Sequence, residues 1–260
     1  MALIAMACFD TIENKRTEYT RKTLESVINT VDLIKHRLII VDNNSCQETK
    51  DFLKQFASYY NTKRIHVITL PENIGTARAI NQAWKLRNEG EHCIKMDNDV
   101  VIHSSGWVDE MEEAIRRDPK IGQVGLKRKD CWEHPAHKNN DFKSTLKMLP
   151  HVPGEKWLIV EEAKHIIGTC VMHSAALLDK VGYLYQTSLY GYDDVLMSHR
   201  THLAGFYSCF LPHIEIDHID TGATEYQGWK ERHSGEQTQR IIQLVRDMYN
   251  GIKPIYYGAD

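Results

Sequence analysis

Four short apolar runs, each followed by a stretch of helical period, decide most of what this chain can become. ALIAMAC (2–8), RLIIVD (37–42), RIHVITL (64–70) and HCIKM (92–96) have little polar alternation, as expected of parallel strands covered on both faces. Leu24, Val27, Ile28 and Val31 recur at helix spacing after the first run; Phe52, Leu53 and Phe56 mark a second helix. Asn73-Ile74-Gly75 then turns the chain into a third, on which Ile80, Ala83 and Trp84 share a face. Consecutive βα units predict an α/β fold with an open, mostly parallel sheet and helices on both sides. Such sheets bind ligands at the carboxyl ends of their strands. Cys8-Phe9-Asp10, Asp42-Asn43-Asn44 and Asp97-Asn98-Asp99 each lie at such an end, so three polar clusters are expected on one rim.

The second half is less regular. A helix carrying Trp107, Val108, Met111, Ala114 and Ile115 leads to a strand at 121–126. Residues 127–156 are polar, contain Pro135, Pro150 and Pro153, and show no periodicity, which reads as a long loop insertion over the rim. A strand at 167–173, a helix at 193–204, a short strand pair at 206–217 and a terminal helix at 236–249 follow. The last turns Ile241, Leu244, Val245 and Met248 inward.

With 260 residues, 42% of them hydrophobic, the chain can bury one large core. A net charge of −3 supplies no general basic field for nucleic acid or anionic membranes. No apolar run reaches the roughly 18 residues of a membrane span, and MALIAMACFD is too short and too soon acidic for a secretory leader. The six cysteines, at 8, 46, 93, 131, 170 and 209, form no CxxC pair and suit reduced thiols. A cytoplasmic protein is expected.

Asp97 and Asp99, one residue apart at a strand end, repel each other unless a cation or a substrate hydroxyl joins them, and a hard divalent ion is the natural partner. Asp193 and Asp194 open a helix, where they serve either as dipole-favoured capping residues or as a base for a reacting hydroxyl. Asp42 is either a turn or N-cap residue or a ligand-binding group on the rim. Cys131, His134 and His137 have some zinc character, but Pro135 interrupts them and no fourth partner is suitably spaced. A polar loop is the simpler reading, with Trp132 and Trp157 available to stack on a sugar or base. Six basic residues against three acidic ones give 127–147 a local +3, which suits a phosphate-bearing acceptor or a solvated loop face.

VDNNS (41–45), NIGTARAIN (73–81), KMDND (95–99) and YGYDDVLMSHR (190–200) stand in the order and spacing of the family-2 glycosyltransferases, which the chain resembles over roughly residues 1–220. The resemblance implies a GT-A fold: a Rossmann-like, mostly parallel sheet and a smaller mixed sheet in the C-terminal half. It implies one domain over 1–260, with a nucleotide-binding half at 1–100, an acceptor-binding half at 101–230 and a C-terminal helix and tail at 231–260. Mn²⁺ or Mg²⁺ would be held by Asp97, Asp99 and His218, with His213 a weaker candidate. A nucleotide-sugar donor, most often a UDP-sugar, would meet Cys8, Asp10, Asp42, Asn44, Arg78, Asp97 and Asn98. Asp194 maps onto the family's general base, and Asp193, where relatives carry Glu, would orient the acceptor. Transfer would be inverting, to a glycan, a lipid-linked sugar, a protein or a modified DNA base. Two other readings compete. DNDVV also fits a haloacid-dehalogenase-like phosphatase, in which the aspartate strand comes first; a catalytically inactive glycan-binding module of the same fold is the other.

Overall fold

The structure is a computed structural model, and it describes residues 1–60, 62–132, 144–220 and 237–259 together with 228, 230 and 235. Its first half is four parallel strands, β1 (Ala2–Cys8), β2 (Arg37–Asp42), β3 (Ile65–Thr69) and β4 (His92–Met96), with helices α1 (Thr17–Thr30), α2 (Gln47–Tyr60) and α3 (Thr76–Trp84) between them. The strands stand in the order β3-β2-β1-β4. The aspartates therefore leave the fourth strand in sequence and not the first, which removes the topological basis of the phosphatase reading.

Why the runs lack polar alternation is visible in β1. Ala2, Ile4 and Met6 face one core, packed by Leu24 and Val27 of α1 and Leu53 and Phe56 of α2. Leu3 and Ala5 face the other, packed by Ala77, Ile80 and Trp84 of α3. Both faces are dry, so period-2 alternation has no reason to appear. The two buried indoles are satisfied: Trp84 donates to the Ile94 carbonyl at 3.4 Å and Trp107 to Thr30 Oγ1 at 3.2 Å.

Beyond β4 the same sheet continues as β9-β6-β10-β8-β7. These are β6 (Ile121–Arg128), β7 (Ser144–Met148), β8 (Ile159–Ala163), β9 (Cys170–His173) and β10 (Tyr207–His218). β9 runs antiparallel to both β4 and β6, while β10 runs parallel to β6. A three-residue strand, β5 (Val100–Ile102), pairs with the end of β10. Helices α4 (Trp107–Arg117), α5 (Ala175–Val181), α6 (Asp193–Leu203) and α7 (Thr238–Tyr249) and a single 3-10 turn at Lys129–Trp132 complete the described elements. The expected strand pair at 206–217 is one strand, its ladder broken near Pro212 by a register shift between Leu211 and Glu215. Within 127–156, read as loop, β7 forms an edge strand against β8; its exposed Leu146 and Met148 conceal it from a periodicity argument.

His173 on β9 lies against Trp84, with Gln123 at 3.2 Å. Burial pushes its imidazole down to about 3. An unfolded chain takes up that proton near pH 6.5, so the unfolded state binds more protons throughout the interval and stability falls as pH drops below about 6.5. Replacing the imidazole removes up to about 1.4 kcal/mol of this loss per pH unit. His173→Gln is expected to lose less stability than wild type between about pH 7 and pH 5 in urea unfolding, and parallel losses in the two proteins would refute the assignment.

Candidate active site

The ladders that carry the acidic residues also bring them together. Asp97, just past β4, donates its N–H to the Thr169 carbonyl at 2.9 Å, which ties it to the entry of β9. The Asp99 carbonyl accepts from Ile219 N–H at 2.9 Å, and His218 pairs with Val100, so the β5–β10 ladder sets His218 beside Asp99. Asp193 and Asp194 arrive from the opposite side, in the first turn of α6. Gly191 (φ 95°) and Tyr192 (φ 65°) turn the chain into that helix. A left-handed tyrosine is a strained conformation, and its hydroxyl is held by Thr238 Oγ1 at 2.7 Å.

Between these elements lies a cavity of about 770 Å³ at the carboxyl ends of β1 and β4. Asp99 is 3% exposed. Its Oδ2 is 2.6 Å from Arg16 and 3.4 Å from His218 Nε2. Burial opposes its ionisation, but His218 and Arg16 outweigh burial and hold the carboxyl well below the usual carboxylate range. Its Oδ1 is buried and accepts no hydrogen bond. Arg16 also reaches Asp220 at 2.6 Å and Asn98 at 3.2 Å, and Lys230 joins Asp220 at 3.0 Å. Arg128 donates to His218 Nδ1 at 3.1 Å, which leaves the proton of a neutral ring on Nε2, toward Asp99.

The side of the cavity nearest α6 is organised around Lys95. Its ammonium lies 3.2 Å from both Asp97 Oδ1 and Asp193 Oδ2. Burial works against that charge, yet Asp193, Asp97 and Asp194 more than offset it and raise the lysine above its ordinary value. Asp194 accepts two N–H groups, from Gly168 at 3.1 Å and Val195 at 2.7 Å. His165 Nε2 lies 3.8 Å from its Oδ2.

Cys8, Asp97, Asn98, Asp99, Asp193, Asp194 and His218 all line this cavity. The other residues singled out in the sequence lie off its lining. Asp10 is fully buried behind it and accepts from Thr20 at 2.6 Å and Asn98 at 2.8 Å; burial raises its carboxyl despite those donors. Asp42 is fully buried too: Oδ1 accepts Ser45 N–H at 2.7 Å in the turn before α2, and Oδ2 accepts nothing. Its neighbour Asn43 lines the cavity and donates to Asn73 at 2.8 Å, joining VDNNS to NIGTARAIN. Asn44 holds Lys50 at 3.1 Å, and Arg78 is exposed beside a separate cavity of about 250 Å³. His213 pairs with Glu110 at 2.6 Å on the surface.

His134 and His137 lie outside the described residues. Trp157 is 61% exposed and stacks on His151 at 4.0 Å. Of the basic residues at 127–147, Lys127 pairs with Glu161, Arg128 with Asp130, Lys129 with Asp217 and Lys147 with Asp118, so the described part of that patch is an array of ion pairs. Among the described residues His36, Asp109 and Glu112 bring three metal-capable donor atoms close together. His36 Nδ1 accepts Ala2 N–H at 3.2 Å, which leaves its own proton facing Asp109, and Lys35 already pairs with both acids. It is an ion-pair cluster.

Sequence reasoning missed Arg16, Lys95, Asp220 and Lys230, all on the cavity lining. Lys95 alone carried a usable signal: a lysine inside a doubly covered strand must have a buried partner. The free thiols Cys93, Cys170 and Cys209 are buried and pushed up by burial, as reduced core cysteines should be.

The family model described as Glycosyl transferase family 2 matches residues 11–182. Among the curated proteins none matches in sequence. In structure the chain is similar to the mannosyltransferase PcManGT from Pyrobaculum calidifontis in complex with GDP-Man and Mn²⁺: TM-score 0.70, 14% identity, covering 95% of this chain and 64% of that one. GalNAc-T7 with UDP, GalNAc and Mn²⁺ gives a TM-score of 0.62 at 14% identity, covering 84% and 44%. TarS 1-349 of S. aureus with UDP-GlcNAc gives 0.59 at 16%, covering 85% and 61%. The chain spans less than two thirds of each of these. Their shared architecture is the GT-A fold. With more than half of its residues matched by the family model, the chain belongs to glycosyl transferase family 2.

Proposed function

We propose that this glycosyltransferase moves a sugar from a nucleotide-diphosphate donor, a UDP-sugar foremost, to an acceptor hydroxyl in one inverting displacement. The observation that carries the reading is the shared cavity, in which acidic groups from β4, α6 and the end of β10 converge. Asp97 and Asp99 offer carboxylate oxygens that suit a hard divalent cation, the buried Oδ1 of Asp99 still lacking a hydrogen bond; His218 would join them only with its Nε2 proton moved to Nδ1 and Arg128 drawn away. Mn²⁺ or Mg²⁺ held there would offset the charge that builds on the leaving diphosphate.

The chain's own residues supply the rest. Cys8 and Asn43 floor the end of the cavity nearest β1 and β2, where a nucleobase would rest. Asp42, which the family resemblance makes the acceptor for a base N–H, stands opposite Cys8 in the β1–β2 ladder, buried behind this floor with Oδ2 unused, and would meet a base only through a shift of the wall. Asp194 takes the proton of the attacking hydroxyl, and Asp193 orients the acceptor. The family resemblance and, among the described residues, a single evident base with no second carboxylate read as a nucleophile support inversion.

UDP-glucose, UDP-galactose, UDP-N-acetylhexosamines, GDP-mannose and dTDP-sugars, offered with Mn²⁺ or Mg²⁺, test the reading through release of the nucleoside diphosphate. Turnover of one donor that EDTA abolishes and Asp99→Asn strongly depresses is expected. Metal-independent glycan binding without nucleotide binding would instead favour a non-catalytic module. Among the described residues no helix is long and apolar enough to cross a membrane.

A further inference from the structure

Cys93 and Lys95 share a face of β4, and Cys93 lies in the core beside Ala5, Val41 and Met197. A lysine in that row is 6% exposed, and it is retained only with good partners. Its ammonium donates to the Gly168 carbonyl at 2.7 Å and reaches Asp97 Oδ1 and Asp193 Oδ2, each at 3.2 Å. One hydrogen bond and two ion pairs thus hold a single compact cation between three oxygens, a role that suits ammonium better than a planar guanidinium. The two carboxylates come from opposite sides of the cavity, Asp97 from the strand end and Asp193 from the helix.

Gly168 closes the arrangement. Its carbonyl takes Lys95, its N–H goes to Asp194 Oδ2 at 3.1 Å, and the next carbonyl, of Thr169, takes the Asp97 N–H at 2.9 Å. A methyl group on residue 168 would lie 2.7 Å from Lys95 Nζ and 3.0 Å from Asp194 Cβ. One ammonium and one short stretch of backbone thus fix the spacing between the two sides of the site.

We infer that Lys95, seated on Gly168, is a positioning residue that keeps the donor-side carboxylate Asp97 in register with the acceptor-side pair Asp193 and Asp194. This rests on the transferase reading above. Register matters when both substrates are in place, so its loss lowers turnover more than donor affinity.

The test uses Lys95→Met and Gly168→Ala in the full chain, each checked for folding by thermal melting. Kinetics follow Mn²⁺-dependent release of UDP from UDP-N-acetylglucosamine and of GDP from GDP-mannose, and calorimetry measures UDP binding. In both variants kcat is expected to fall by about 10²-fold, with KM and UDP affinity near the wild-type values. Gly168 has no left-handed backbone, so alanine adds no backbone strain; its methyl group pushes the Lys95 ammonium and Asp194 apart while keeping the charge. It separates register from any folding defect of Lys95→Met. Wild-type kcat in Gly168→Ala, or a loss in either variant expressed through KM and UDP affinity, would overturn the inference. Wild-type enzyme that neither binds UDP nor turns over either donor would bring down the transferase reading first, and this with it.

Discussion

Asp194→Asn is expected to retain nucleotide and metal binding while kcat falls by roughly 10²- to 10⁴-fold, the contribution of a positioned general base. The carboxamide occupies the space of the carboxylate but cannot take the hydroxyl proton. One structural cost accompanies the change. Asp194 accepts N–H groups on both oxygens, from Gly168 and Val195, and asparagine must present its own NH₂ to one of them. That leaves one donor without a partner and costs about 1–3 kcal/mol of stability. Melting curves therefore separate the two effects: a modest loss of stability with unchanged UDP affinity and a collapse in kcat supports the base assignment. Turnover near the wild-type rate would refute it. Asp193→Asn should behave differently, because Asp193 faces the Lys95 ammonium at 3.2 Å, and its loss acts on acceptor placement.

How much of this was legible beforehand depends on whether the controlling contact was local. The first four strands were plain because each is dry on both faces, and the polar residues that follow them mark the rim. Asp97, Asp99, Asp193 and Asp194 could be chosen because strand ends and a helix start have fixed geometry. β5, at three residues, is too short for any period, and α5, at seven, is nearly so. β7 lies at the sheet edge with apolar groups outward, the reverse of the usual cue. Arg16 was illegible for another reason: its partners Asn98, Asp99 and Asp220 are 82, 83 and 204 residues away, and only β10, returning past β5, brings the last of them near. The off-lining positions of Asp42 and Asp10 follow the same logic. A motif tells which residues gather at a rim, while the side-chain network decides which of them face the cavity and which hold its wall.

Arg16→Met is expected to be the most destabilising single change at the site. The Arg16 side chain is 5% exposed and bridges the side chains of Asp99 and Asp220, each 4% exposed, at 2.6 Å each. Methionine keeps much of the volume and removes the charge, so two carboxylates stay in a dry wall with less compensation. Removing one partner from a buried ion pair costs about 3–5 kcal/mol, which for a chain of this size corresponds to a melting temperature lower by about 10 °C. His218 beside Asp99 and Lys230 beside Asp220 remain and keep the loss from being larger. A divalent cation discriminates between a structural and a site-specific origin of the effect. A ligand that binds only the folded state stabilises it by about 2.7 kcal/mol at a hundred times its Kd, and Mn²⁺ next to Asp99 also supplies positive charge where the arginine was removed. The gap between Arg16→Met and wild type should therefore narrow when Mn²⁺ is added and reopen with EDTA. A gap that Mn²⁺ leaves untouched would mean that Arg16 and the cation do not share Asp99, and a variant melting with the wild type would show that the bridge contributes little to the fold.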